Sequence, residues 1–113
     1  GGGGGGDDVA DRLADVTREL KQERSRLSKV NKHYFLLAQA KAQQLNIEFP
    51  QGTRPTRHRL FELIRQNGGD VGEEFVTAQN ELLQPVLARL RATIKKLTDE
   101  KRHLLAEAAE NEA

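Results

Sequence analysis

The sequence contains no cysteine, no methionine and no tryptophan, and its aromatic residues amount to four phenylalanines and one tyrosine in 113. Without cysteine there is no disulfide frame and no thiolate metal site, a composition that suits an intracellular protein of the cytoplasm or nucleus. No run of 18 apolar residues is present, which argues against a membrane-spanning helix. The lack of any methionine, initiator included, reads as a piece or a processed form of a longer protein. Glycine is concentrated in the opening run 1–6, which reads as a tag or a native linker, flexible in either case and outside the fold. Lys and Arg number 18 against 17 Asp and Glu, for a net charge of +1, so the placement of charge says more than its total.

What is present is heptad patterning. From Asp7 to Glu48 there is neither proline nor glycine. Leu13, Leu20, Leu27, Tyr34 and Lys41 fall at a, with Val9, Val16, Glu23, Val30, Leu37 and Gln44 at d. Sustained alternation of three and four residues is a coiled-coil signal. The stretch Ile47–Gly52 breaks the helix, because the residue before Pro50 resists the helical region and Gly52 turns readily. Thr53 or Arg54 then caps a short helix with Pro55 in its first turn, where a missing N–H costs nothing. Leu60, Phe61, Leu63 and Ile64 give that helix one apolar stripe, and Asn67-Gly68-Gly69 stops it. Asp70 and Glu73 have capping-box spacing at the head of a last helix. Its frame places Val76, Leu83, Leu90, Leu97 and Leu104 at d, and Asn80, Leu87, Ile94, Lys101 and Ala108 at a. Pro85, at an outward f position, predicts a kink or local break.

The expected fold is all-α: a long antiparallel coiled-coil helical hairpin capped by a short third helix, and able to dimerise. The predicted elements are a flexible 1–6 and a single helical domain over 7–113, with helices over about 8–48, 55–67 and 71–110. Register is argued from the polar seam residues Glu23, Gln44, Asn80 and Lys101. Facing positions in an antiparallel pair sum to a constant. A sum of 124 pairs Glu23 with Lys101, Gln44 with Asn80, Lys41 with Leu83 and Leu27 with Leu97, and sets Ala113 opposite Asp11. A sum of 117 sets Glu23 against Ile94 and Lys101 against Val16. An unpaired buried charge costs several kcal/mol, so the higher sum is expected. A parallel homodimer through the first helix sets Glu23 against itself, and a domain-swapped dimer uses the same register in trans.

Phe35, Leu36, Leu45, Phe75, Leu82 and Val86 are apolar yet lie outside the seam. Either the short helix covers them in a three-helix base, or Phe35, Leu36, Phe75 and Leu82 form an interface for a second copy or a helical partner protein. Nothing points to catalysis. His33, His58 and His103 share no metal spacing, and Ser25 and Ser28 lie mid-helix without a nucleophile's strand–turn–helix setting. Gly68–Gly72 lacks the lysine of a phosphate loop. The sequence implies no cofactor, metal, small-molecule substrate or membrane.

Charge is unevenly placed. Residues 18–32 are basic, and the tip carries Arg54, Arg57, Arg59 and Arg65 against Glu62 alone. Five acids fall in 99–113, so Arg26 is expected to pair with Glu100 across the flank. Two functions follow. The first is a non-catalytic structural or interaction module, an assembly arm or rigid spacer in a larger complex. The second is a basic arm that binds an anionic polymer, microtubule or nucleic acid, through Lys29, Lys32, Arg54, Arg57 and Arg59. No aromatic interleaves those arginines for base stacking.

Overall fold

A computed structural model describes residues 4–49 and 54–112. Among these are two α-helices and no strand: α1, Gly4–Gln44, and α2, Arg57–Glu112. They contribute to two compact units, where the sequence suggested one domain over 7–113. The terminal unit comprises Gly1–Leu27 with Ala88–Ala113, and the central unit is Ser28–Leu87.

The helix ends differ from expectation in instructive ways. Gly4–Gly6 belong to α1 rather than to a linker. Extending a formed helix adds one hydrogen bond per residue, which offsets part of glycine's low propensity. At its other end α1 stops at Gln44, before the proline can act. Asn46 takes a left-handed conformation, φ 56°. The Ile47 amide donates to the Ala42 carbonyl at 2.9 Å, and the Asn46 amide donates to that of Gln43 at 3.0 Å. This is a Schellman cap with asparagine in the position glycine usually holds. Pro50, Gly52 and Thr53 lie outside the described residues. The cap of α2 is Thr56, one residue beyond Pro55. Its hydroxyl oxygen accepts from the Arg59 amide at 3.2 Å, as an N-cap side chain does for the third helical residue.

The expected stop at Asn67-Gly68-Gly69 takes the form of a kink within α2. Gly69 alone is non-helical there, with φ 55° and ψ −139°, a region closed to residues with a side chain. Glu73, expected to cap with Asp70, reaches back to Arg65 at 3.2 Å. Gly72 is buried, and a Cβ there would collide with the Ile64 carbonyl oxygen and come within 3.1 Å of its carbon. Two runs of backbone are therefore pressed together around Gly69. Pro85 breaks nothing: no non-helical residue accompanies it. Pro85 and Glu81 are both exposed, so the carbonyl that loses its donor belongs to the solvent side of the helix and not to the core.

In the terminal unit the α1 and α2 segments pack antiparallel. Val9, Val16, Leu20, Leu97 and Leu104 form the core, with Leu13, Ile94 and Ala108 against it. This is the register that sums to 117, which sets Leu13 opposite Leu104, Leu20 opposite Leu97 and Val9 opposite Ala108. The expected register is thus wrong by one heptad in this unit, and Glu23 does not meet Lys101. Glu23 bonds Arg26, one turn along its own helix. It shares a groove with Lys96 and Leu97. Nor does Arg26 reach Glu100. Arg12 Nε donates to Glu100 Oε1 at 2.6 Å. The penalty that favoured the other register is avoided because no polar or charged residue is buried among the described residues. Glu23 and Lys101 sit half-covered at the seam's edge. Against that small cost, the lower sum gives Leu13 and Val9 apolar partners, each buried aliphatic side chain being worth about 1.5–3 kcal/mol.

The central unit is built around Ala38, Ala42, Leu60, Phe61, Ile64 and Val76, with Phe35, Leu45, Ile47, Phe49 and Phe75 packed against them. The small Ala38 and Ala42, both fully buried, let residues 57–68 approach α1 closely. Leu83 and Leu87 are also buried. Lys41 stands over the Phe75 ring, 5.6 Å from its centroid, rather than opposite Leu83. Gln44 is exposed at the end of α1, whereas Asn80 lines a groove with Phe61 and Val76. Those two do not form the expected layer. Ala113 lies outside the described residues.

Two outcomes follow. Gly72→Ala is expected to cost about 1–3 kcal/mol as overpacking against backbone, read as a lower urea midpoint. The Arg12 hydrogen bond holds the Glu100 carboxyl below its ordinary pKa. Folded Glu100 therefore binds fewer protons than unfolded Glu100 over the carboxylate range. Its contribution is present above the ordinary pKa and is lost as pH falls through the lowered one. Glu100→Gln is expected to flatten the acid limb of the stability profile. A double-mutant cycle is expected to show coupling between Arg12 and Glu100 and none between Glu23 and Lys101.

Candidate interaction surface

In an antiparallel pair the two flanks of the seam face opposite sides. One flank of the central unit carries Ala38, Ala42, Phe35 and Leu45 on α1. It is covered by Leu60, Phe61 and Ile64 from the 57–68 stretch of α2. Arg65 and Glu73 bridge from this stretch to the chain beyond the kink.

The other flank keeps its apolar residues at the surface. Leu36 is 49% exposed, Leu37 38% and Leu82 62%. Leu36 and Leu82 occupy outward c positions of their heptads, on the same side of the pair. Of the four interface candidates, the structure therefore separates two from two. Phe35 and Phe75 are half-buried against the central core, whereas Leu36 and Leu82 stay exposed. Two members of the exposed face were missed. Leu37 was assigned to the seam opposite Leu87, yet it is left partly exposed whereas Leu87 is buried. Val71, 54% exposed, precedes Phe75, Leu82 and Val86 at spacings of four, seven and four. The sequence pattern singled out Phe75, Leu82 and Val86 but not Val71.

The tip is less bare than its arginine count implies. Arg59 pairs with Glu62 at 3.2 Å, and His58 Nε2 meets the same carboxylate at 2.9 Å. The Arg57 guanidinium lies over the Phe61 ring, 5.9 Å from its centroid, and the residue is half-buried. Arg54 is exposed, as are Lys29 and Lys32 on α1. The five anionic-partner candidates thus form no single patch: two lie on α1, and the three arginines at the tip differ in exposure and engagement.

Ser25 and Ser28 are exposed on α1. His33 contacts Tyr34 edge-on, with ring centroids 5.3 Å apart. Among the described residues there is no group of three or more metal-binding side chains, and no helix is long and apolar enough to cross a membrane. No family model, curated protein or solved structure matches this chain.

The division of the apolar candidates has a direct consequence. Phe35→Ala is expected to destabilise the chain by about 1–3 kcal/mol, below the range for a fully buried phenylalanine. Leu36→Ala and Leu82→Ala, measured at high dilution, are expected to fall within about 0.5 kcal/mol of wild type. Urea unfolding followed by circular dichroism reads all three.

Proposed function

We propose that the chain is a non-catalytic helical interaction module, an assembly arm or rigid spacer that associates through one face of its central unit. The observation that carries this reading is the asymmetry of the two flanks. The 57–68 stretch acts as a short capping helix on one side, while Leu36, Leu37 and Leu82 stay exposed on the other. Exposed leucines on one side of two neighbouring helices suit a third or fourth helix laid alongside. A contiguous apolar face is rarely kept without a use.

The runner-up is a basic arm for an anionic polymer, microtubule or nucleic acid, supported by the exposure of Lys29, Lys32 and Arg54. The pairing of Arg59 and the stacking of Arg57 reduce its cationic surface. Salt separates the two readings, since counterion release makes polymer binding fall steeply with ionic strength and apolar association does not.

Titration of the full chain with a fluorescent amphipathic Leu/Ala helical peptide, at low and high salt, tests the module. The expected result is saturable binding that survives high salt and is lost in Leu36→Lys/Leu82→Lys. Absence of peptide binding, together with salt-sensitive binding to duplex DNA or polyglutamate that Arg54→Glu abolishes, would replace it with the polymer reading.

A further inference from the structure

The Arg12–Glu100 hydrogen bond fixes the two sides of the terminal unit. Both residues hold g positions of their heptads, one just before Leu13 and the other just before Lys101. In an antiparallel pair the g positions of the two helices share one flank, and the e positions share the other. The groove that Arg12 and Glu100 line brings only further g and c residues to the seam: Glu19, Gln22, Thr93 and Lys96.

The terminal unit carries as many acids as bases, but its flanks divide them unequally. At the g and c positions of residues 8–27 and 88–111, four bases stand among six acids. Arg12 there is paired with both Glu19 and Glu100. At the e and b positions of the same stretches the charged residues are Lys21, Arg24, Arg91, Lys95 and Arg102, with no acid. The remaining e and b residues are alanine, threonine and one leucine. All five bases are exposed. Lys95 bonds Asp99 on its own helix at 3.1 Å, and the other four make no ion pair among the described residues.

We propose that this basic flank binds duplex nucleic acid along its phosphate backbone, without reading sequence. The bases stand in two rows on helices about 8–10 Å apart. Lys21 and Arg24 form one row, and Arg91, Lys95 and Arg102 form the other. From Arg91 to Arg102 is about 17 Å of helix. A duplex presents about ten phosphates over that length, divided between two strands, so both rows are engaged at once. A single acidic chain neutralises only one row. An anionic membrane needs apolar side chains to insert, and Leu105 is the sole large one at these positions. The terminal unit has no phenylalanine or tyrosine on which single-stranded bases would stack. Its e and b positions hold no asparagine or glutamine to read adenine. Contacts from lysine and arginine to phosphate hold a duplex in place without selecting its sequence. The site is independent of the association face of the central unit and of the arginines at the tip.

Fluorescence anisotropy of two unrelated duplexes, titrated with the full chain at several salt concentrations, tests this. Both duplexes are expected to bind alike. With four or five phosphates neutralised, affinity is expected to fall a few hundredfold between about 50 and about 200 mM salt. Arg91→Glu is expected to weaken binding by roughly tenfold or more. Arg89→Glu makes the same change of charge two residues away, at a c position on the other flank, and is expected to leave affinity nearly unchanged. The double neutralisation Arg24→Gln/Arg91→Gln is expected to make the salt slope shallower by about two, a change that partial unfolding does not produce. Circular dichroism of each variant checks helix content.

Absence of duplex binding at about 50 mM salt overturns the proposal. So does an equal loss in Arg89→Glu and Arg91→Glu, which means that net charge acts and not the flank. Tighter binding of polyglutamate than of duplex overturns it in favour of an acidic protein partner. Loss of duplex binding in Arg54→Glu but not in Arg91→Glu overturns it in favour of the tip. Peptide binding lost in Leu36→Lys/Leu82→Lys reads the central unit alone, so the module reading and this one fail separately.

Discussion

Everything in the central unit depends on a place where no side chain fits. At Gly72 the backbone runs so close to the Ile64 carbonyl that a single methyl group would force it apart. Gly69 supplies the dihedral angles that bring the two runs together. The approach seats Ile64 and Val76 in one core with Leu60 and Phe61, and Ala38 and Ala42 of α1 receive them from the other side. Small residues thus act at two levels. Glycines bring the two runs of α2 together, and alanines bring that pair onto α1. Where backbone approaches backbone this tightly, packing leaves few alternative arrangements.

Electrostatics plays a lesser part in the fold than the sequence implies. Polar seam residues specify register in a coiled coil when their burial makes mispairing costly. In a seam only two helices wide, Glu23 and Lys101 remain at its edge, and neither is buried. Their preference is therefore weak. The leucines and valines choose the pairing that covers most apolar surface, and the charges adapt locally. Glu23 turns to Arg26, and Glu100 to Arg12. Lys41 finds the face of Phe75.

The same economy shapes the surface. Two helices side by side have two flanks, and one stretch of a dozen residues covers only one of them. The covered flank absorbs Phe35, Leu45 and the tip's aromatic residues into the core. The uncovered flank retains Leu36 and Leu82 at the surface.

The sequence by itself determined the elements: an all-α chain, two long heptad-patterned segments, an interruption at Asn67-Gly68-Gly69, and an end to the first helix before Pro50. Each rests on local chemistry, through propensity, period and the conformational freedom of glycine. The exact helix ends were legible in principle, since Asn46 and Thr56 are cap residues, but the prolines drew attention from them. The tertiary structure alone decided the register and the division between buried and exposed apolar residues. Both depend on how much surface is covered when particular faces meet, a sum over many contacts that no residue carries in its own identity. Phe35 and Leu36 are neighbours of nearly equal apolarity. The 100° between them on a helix, and the place where residues 57–68 come to rest, put one in the core and leave the other at the surface.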